Sequence, residues 1–303
     1  MTTKPLPPTI VEPDPTWPHL DLWKAVQKAI FTLPDRFESD LVISGVLATD
    51  LHAFNSSLSA TIEEQVIEAL NDLRSIWDPN GTYALYSFER QPQTFPDVVL
   101  RTKAPGVPPK VLMGIELKGW YILAKEGEPS GRYKVTPQVC APADLLVFVP
   151  WALSRVISGS PQVFEPFVIG ARYASEYRNW WWEHEKGGGG DNRITLSSES
   201  ATYPTKSKKI SDKPFSDSGN NFGRLARAGL MDDFMKRLFD DELMGIQLWA
   251  WHRFLALFTE SNSDETIRRN LDVLARRIGE QPNSKSEKIA EKLREISSIV
   301  END

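Results

Sequence analysis

Residues 95–120 read FPDVVLRTKAPGVPPKVLMGIELKGW, and the way this stretch folds decides how the rest of the chain is arranged. Two apolar runs, 95–102 and 111–120, flank a loop rich in Pro, Gly and Lys. Apolar, β-branched runs bounded by turn residues, with proline kept to the loop and the start of a strand, predict a β-hairpin. If the turn is centred between Gly106 and Val107, the numbers of cross-strand partners have a constant sum, and Asp97 falls opposite Glu116. Side chains alternate along a strand, so Glu116 and Lys118 share one face while Ile115 and Leu117 take the other. The hairpin therefore gathers Asp97, Glu116 and Lys118 at one place on the sheet. Two carboxylates held together repel unless a cation lies between them, and a hard dication such as Mg²⁺ prefers oxygen ligands. A metal site with a lysine beside it is expected. A salt-bridged Asp-Glu-Lys cluster without metal is the plainer alternative for charges at strand positions.

Upstream of the hairpin, residues 82–88 (TYALYSF) alternate as a strand, preceded by the turn residues Asp78-Pro79-Asn80-Gly81. Before that turn, Ser59 is placed to cap a helix whose apolar stripe is Ile62, Val66, Ala69, Leu70 and Leu73, ending near Trp77. Glu63 lies on the side of Val66 and Leu70 rather than on the opposite, wet face. A first-turn acid favoured by the helix dipole is a sufficient structural reason for it. Trp23, Val26 and Ile30 predict an earlier helix over 20–31, closed by Pro34, while residues 40–57 read as two short helical pieces interrupted at Gly45. Residues 1–18 form a proline-rich arm with no core of its own.

Downstream, residues 124–134 are a polar loop over the hairpin, and Pro137–Ala141 is where a short helix would start. The runs DLLVFVP (144–150) and PFVIGA (166–171) read as buried strands. Residues 173–185 are helical and carry Trp180, Trp181 and Trp182, which point in different directions and suit packing better than a base-stacking platform. Residues 186–221 hold a run of four glycines and the exposed-type cluster Lys206, Lys208, Lys209 and Lys213. Such long loops are functional or disordered, and these lysines either face phosphates or are simply solvated. From Asn221 to Phe258 the chain reads as mostly helical, with breaks at Gly229 and Gly245. Arg224 and Arg227 then share a helical face, and a helix N-terminus beside two arginines suits a phosphate. Two amphipathic helices follow in 264–303, a packing or dimerisation appendage. The domain reading is an arm over 1–18, one domain over 19–260 and a helical appendage over 261–303.

The chain has 303 residues, a formal net charge of -6, 41% hydrophobic and 25% charged residues. Those are globular proportions, and the mild acidity disfavours indiscriminate nucleic-acid binding. Positive charge concentrates in 101–134 and 203–237. No apolar run approaches the roughly 20 residues a membrane helix needs, and residues 1–15 lack the apolar core of a signal peptide. With Cys140 as its one cysteine the chain forms no internal disulfide, so a cytoplasmic setting is expected. The four histidines, His19, His52, His184 and His252, are scattered without metal-ligand spacing. There is no G-x-S-x-G elbow, no Walker A loop and no dinucleotide fingerprint.

The pair Pro96-Asp97 followed by Glu116-Leu117-Lys118 resembles the PD-(D/E)xK nuclease superfamily, which includes most type II restriction endonucleases along with repair nucleases and Holliday-junction resolvases. The runs SATIEEQVIEALNDLRSIWDP and NNFGRLARAGLMDDF look like those of restriction endonucleases in particular. The resemblance implies an α/β fold, a restriction-endonuclease-like mixed central sheet flanked by helices, with helical additions at both ends. Its order is a helix bearing an acid, a strand, the hairpin, a helix and further strands. It implies that Asp97, Glu116 and the Leu117 carbonyl bind Mg²⁺, with Mn²⁺ able to substitute. Lys118 then serves the nucleophilic water, and Glu63 is an auxiliary helix acid. The activity implied is cleavage of double-stranded DNA, sequence-specific and set in restriction-modification. Cutting both strands calls for two active sites and hence a homodimer. Arg224, Arg227 and Lys134 are the expected DNA contacts. The competing expectations are a repair or defence nuclease guided by structure or a partner, and a catalytically silent nuclease-like subunit that binds DNA.

Overall fold

The computed structural model describes residues 4–45, 51–91, 93–103, 106, 108–187, 190–259, 262–280 and 284–302. Helix α1 (Leu20–Phe31) buries Leu22, Trp23, Val26, Ala29 and Ile30, the predicted stripe and its flanks. Pro34 does not close that helix; it sits in the first turn of a short second one, α2 (Leu33–Arg36), where its missing N–H costs nothing. Helix α3 (Leu51–Asp72) begins well before Ser59, which is therefore an interior residue rather than a cap. The stretch 40–57 does not form two short helical pieces: residues 40–45 are non-helical, with Ile43 bridged to Gly159, residues 51–57 belong to α3, and residues 46–50 lie outside the described residues. Ile62, Val66, Ile67 and Leu70 are buried along α3, and a short α4 (Arg74–Trp77) follows.

Strand β1 (Tyr86–Arg90) starts later than the alternation predicts. The Asp78 carboxylate accepts the Tyr83 N–H at 3.1 Å and holds residues 82–85 in the turn. Strands β2 (Val98–Thr102) and β3 (Val111–Tyr121) form the predicted hairpin. Its register pairs Val98 with Ile115, Val99 with Gly114 and Leu100 with Met113, the constant sum expected. Arg101 then pairs with Val111, so Leu112 is an extra residue in β3. That bulge shifts the turn away from the symmetric centre, and Val107 itself lies outside the described residues.

Strand β4 (Leu145–Leu153) is buried along its whole length and runs parallel to β3. Strands β5 (Pro161–Val163) and β6 (Phe167–Gly170) pair antiparallel with its two ends. Among the described residues this mixed sheet has six strands, in the order β1-β2-β3-β4 with β5 and β6 beyond β4. Helices flank it: α3 packs on β3 and β1, and α5 (Ala171–His184) packs on β4 and β6. The helix implied between β3 and β4 does not form. That crossover is irregular, with one 3₁₀ turn at Pro137–Val139, because Gly127, Pro129, Gly131, Pro137 and Pro142 interrupt it.

The long loop after α5 is more structured than its composition predicts. Its two ends pair as β7 (Ile194–Thr195) and β8 (Lys213–Pro214), and the buried Asp212 meets Arg178 of α5 at 2.6 Å. The segment from Asn221 is not continuously helical. Only a 3₁₀ turn, Ala226–Ala228, precedes Gly229, whose φ of 75° ends it. Helix α6 (Asp232–Asp240), the small hairpin β9 (Glu242–Leu243) and β10 (Ile246–Gln247), and α7 (Leu248–Thr259) follow, with Gly245 in the hairpin turn. Helices α8 (Asp264–Gly279) and α9 (Ser284–Asn302) pack on α7 around Leu271, Leu274, Ile278 and Leu293. Among the described residues no helix is long and apolar enough to cross a membrane.

Candidate active site

The site arises where β3 outlasts its antiparallel partner. Strand β2 begins only at Val98, opposite Ile115, while β3 continues to Tyr121. Beyond Ile115 the edge of β3 that faced β2 has no ladder, and backbone N–H groups there need other acceptors. Two carboxylates supply them. Asp97 Oδ2 accepts the Leu117 N–H at 3.2 Å, and Glu63 Oε1 accepts the Gly119 N–H at 3.1 Å. A Cβ on Gly119 would lie 3.2 Å from the Ser59 side chain of α3. Glycine at this position lets α3 approach closely enough for Glu63 to reach the strand.

One residue beyond the Val98–Ile115 pair, Asp97 stands opposite Glu116 as predicted, and the three charged groups converge. Lys118 Nζ lies 3.2 Å from Asp97 Oδ2 and 2.8 Å from Glu116 Oε1. Leu117 and Gly119 face α3, whereas Glu116 and Lys118 face the 124–134 loop, as alternation requires. The loop does lie over the site: a Cβ on Gly131 would come 3.6 Å from the Lys118 stem.

The Glu116 side chain is 10% exposed, Lys118 20% and Asp97 34%. Burial pushes the Glu116 carboxyl up to about 7, and the Asp97 charge adds to the rise while Lys118 opposes it. Burial by itself would lower the Lys118 ammonium, but attraction to Glu116 and Asp97 outweighs it and holds the group above the ordinary lysine value. Burial also raises the Glu63 carboxyl, against the Gly119 hydrogen bond and Lys118. Asp97 and Glu116 both meet the one ammonium, and Glu63 stands within range of its charge, so acids outnumber the base at this site.

A small cleft opens beside Asp97, lined by Glu63, Ile67, Arg90, Gln91, Gln93, Asp97, Val98 and Leu117. Arg90, Gln91 and Gln93 escaped the sequence reading because nothing in their spacing marks them; only the turn from β1 into β2 brings them beside Asp97. Among the described residues no group of three or more His, Cys, Asp or Glu side chains is arranged to hold a metal ion. The oxygen donors that meet at this point are the Asp97 and Glu116 carboxylates, both in contact with Lys118. The Leu117 carbonyl joins them, because it leaves the strand on the same edge as the N–H bound to Asp97.

The three expected DNA contacts are differently engaged. Arg224 pairs with Glu126 at 2.7 Å and approaches Glu128 at 3.6 Å, and its side chain is only 10% exposed. Arg227 pairs with Glu128 and Asn221. Arg227 is the middle residue of a 3₁₀ turn and Arg224 precedes that turn, so the two do not share an α-helical face; both pair with acids of the 124–134 loop. The half-buried Lys134 packs its stem near Gly223. Of the tryptophans, Trp182 is buried edge-to-face on Phe222, and Trp180 donates to the Pro5 carbonyl at 2.9 Å, so both serve packing. His252 is half-buried with a ring nitrogen 3.0 Å from the Ala124 carbonyl, away from any ligand cluster.

Comparison with family models, with curated proteins and with solved structures found no match to this chain. The functional reading therefore stands on the residues and their geometry.

Proposed function

We propose that this chain is a metal-dependent endonuclease of the PD-(D/E)xK type that hydrolyses phosphodiester bonds of double-stranded DNA. The observation that carries this reading is the convergence of Asp97, Glu116 and Lys118 on the unpaired end of β3, with Asp97 also lining the neighbouring cleft. Asp97, Glu116 and the Leu117 carbonyl would hold Mg²⁺, or Mn²⁺ in its place. When bound, the metal supplies Lewis-acid stabilisation of charge building on the phosphate oxygens and acidifies the attacking water.

Lys118 stays protonated between the two carboxylates, so its role is to orient that water and offset developing charge. Acting as a base would require a proton loss that both neighbours oppose. Glu63 ties α3 to the strand carrying Lys118 and keeps the cleft wall acidic. Cleavage of both strands is the task of a homodimer acting in the cytoplasm, in a restriction setting. Backbone contacts come from the exposed lysines 206, 208 and 209, since Thr94 Oγ1 holds the Pro204 carbonyl at 3.0 Å and keeps that loop beside the hairpin.

One observation favours a second reading. The Lys118 ammonium already bridges Asp97 and Glu116, the arrangement of a cluster that needs no metal. On that reading the chain is a silent nuclease-like subunit that binds DNA. Incubation of the purified protein with a large unmethylated phage DNA, with and without Mg²⁺, separates the two. Discrete bands that require Mg²⁺ and vanish in Asp97→Ala are expected, whereas a smear indicates a repair or defence nuclease. DNA binding with no cleavage under Mg²⁺ or Mn²⁺ would establish the silent subunit.

A further inference from the structure

We infer that Arg90, with Gln93 beside it, forms a phosphate subsite on the wall of the cleft, taking a backbone phosphate that neighbours the one cleaved. The inference rests on the nuclease reading and extends it to a substrate contact. Arg90 is the last residue of β1 and lines the cleft together with Glu63, Asp97 and Leu117. Other arginines of the fold are spoken for: Arg74 by Asp78, Arg101 by Glu89, Arg178 by Asp212, Arg224 by Glu126. Its sequence neighbour Glu89 is taken by Arg101 and Lys103. Among the described residues the exposed Arg90 side chain forms no contact ion pair and no hydrogen bond, although its charge acts on Glu63.

The segment that carries Arg90 is fixed to the catalytic hairpin. Gln91 donates its backbone N–H to the Asp97 carbonyl at 2.6 Å and its side-chain amide to the Pro96 carbonyl at 3.3 Å. Gln93, which lines the same cleft, has a φ of 61°, a left-handed backbone that non-glycine residues adopt at a cost. Backbone strain of this kind gathers at ligand-binding positions. A planar guanidinium offers two parallel N–H groups, which suit two oxygens of a phosphate better than a point charge does. A cation fixed beside Asp97 with no contact partner from its own chain is placed to receive an anion that arrives with the substrate.

The test is binding of a short DNA duplex over a range of salt, with Ca²⁺ replacing Mg²⁺ so that no cutting intervenes. Arg90→Gln should weaken binding about tenfold and reduce the slope of log K against log salt by about 0.9. Arg90→Lys should keep the slope while recovering only part of the affinity. The thermal midpoint of both variants should match the wild type, since no partner is stranded; a large drop would make Arg90 architectural and overturn the subsite. If the wild type binds and cuts while Arg90→Gln keeps its slope, the subsite is wrong and the nuclease reading survives. A wild type that neither binds the duplex nor cuts it overturns both.

Discussion

Two clusters of charge, one closed and one open, divide the labour in this molecule. Arg178 and Asp212 are 2% and 0% exposed and meet at 2.6 Å. Arg178 also donates to the Tyr133 carbonyl at 2.9 Å and the Val135 carbonyl at 3.0 Å, while Asp212 accepts from Asn179 and from the Ser197 N–H. One acid meets one base, and the partners all come from the chain. Asp97, Glu116 and Lys118 differ on each count: acids outnumber the base, the cluster borders a cleft, and Glu116 carries a carboxyl held near 7 by burial. A closed pair holds structure together, here by fastening the long loop to α5 and to residues 133–135. An open, acid-rich cluster is equipped to receive something from outside.

The largest effects should separate the two clusters completely. Arg178→Ala leaves Asp212 buried and unpaired, which costs about 3–5 kcal/mol, and denaturant unfolding would measure it. Asp97→Ala strands the Leu117 N–H and should cost about 1–2 kcal/mol, less than Arg178→Ala, yet remove cleavage. If Asp97→Ala lowers stability as much as Arg178→Ala, the open cluster is architectural too, and the contrast fails.

A smaller effect sharpens the same contrast through pH. A buried carboxyl raised to about 7 from 4.5 keeps a proton that the unfolded chain releases. Its relative stabilisation is complete below 4.5 and is lost as pH rises through about 7. A cation that binds the ionised carboxylates offsets that loss, so Mg²⁺ should raise the thermal midpoint at pH 8 and much less at pH 5. At a hundredfold excess over Kd the gain at pH 8 is about 2.7 kcal/mol. An equal shift at both pH values, or one that persists in Asp97→Ala, would place Mg²⁺ elsewhere.

The hairpin was legible because its information is local: two apolar runs, a turn and strict alternation set Asp97 opposite Glu116 without knowledge of the rest. The buried strand expected over 144–150 was legible for the same reason, being apolar on both faces, although the strand runs on past Pro150 to Leu153. What escaped the sequence depends on chain segments meeting at a distance. The bulge at Leu112 responds to packing around the hairpin, and Ser59 lies inside a helix because α3 gains its stability from the sheet beneath it. Arg90 becomes a cleft residue only through the β1–β2 turn. The expected pairing of Arg224 and Arg227 with phosphate assumed an α-helix, but Gly223 and Gly229 bracket a 3₁₀ turn, and Glu126 and Glu128 reach both side chains. Composition alone made residues 186–221 look unstructured, since a single buried aspartate among lysines and serines gives no periodic signal.

The smallest predicted effect asks to which cluster that loop belongs. Tyr203 donates its hydroxyl to Asp144 at 3.0 Å, and Asp144 also accepts the Gly114 and Ala141 N–H groups, each at 2.7 Å. Burial pushes the Asp144 carboxyl up to about 6, and these hydrogen bonds oppose the rise. Tyr203→Phe removes one donor to a buried, ionised group, worth about 1.5 kcal/mol above pH 6 and less below pH 4, where the carboxyl is protonated. Unfolding at the two pH values measures that difference, and a deficit independent of pH would mean that Tyr203 acts by packing alone. Gly114 lies on β3 two residues before Glu116, so the loop is fastened to the strand that carries the open cluster. If the loop serves only architecture, cleavage in Tyr203→Phe should fall no further than stability does. A loss of cleavage with most of the stability retained would put the loop, with its exposed lysines 206, 208 and 209, on the side of the open cluster.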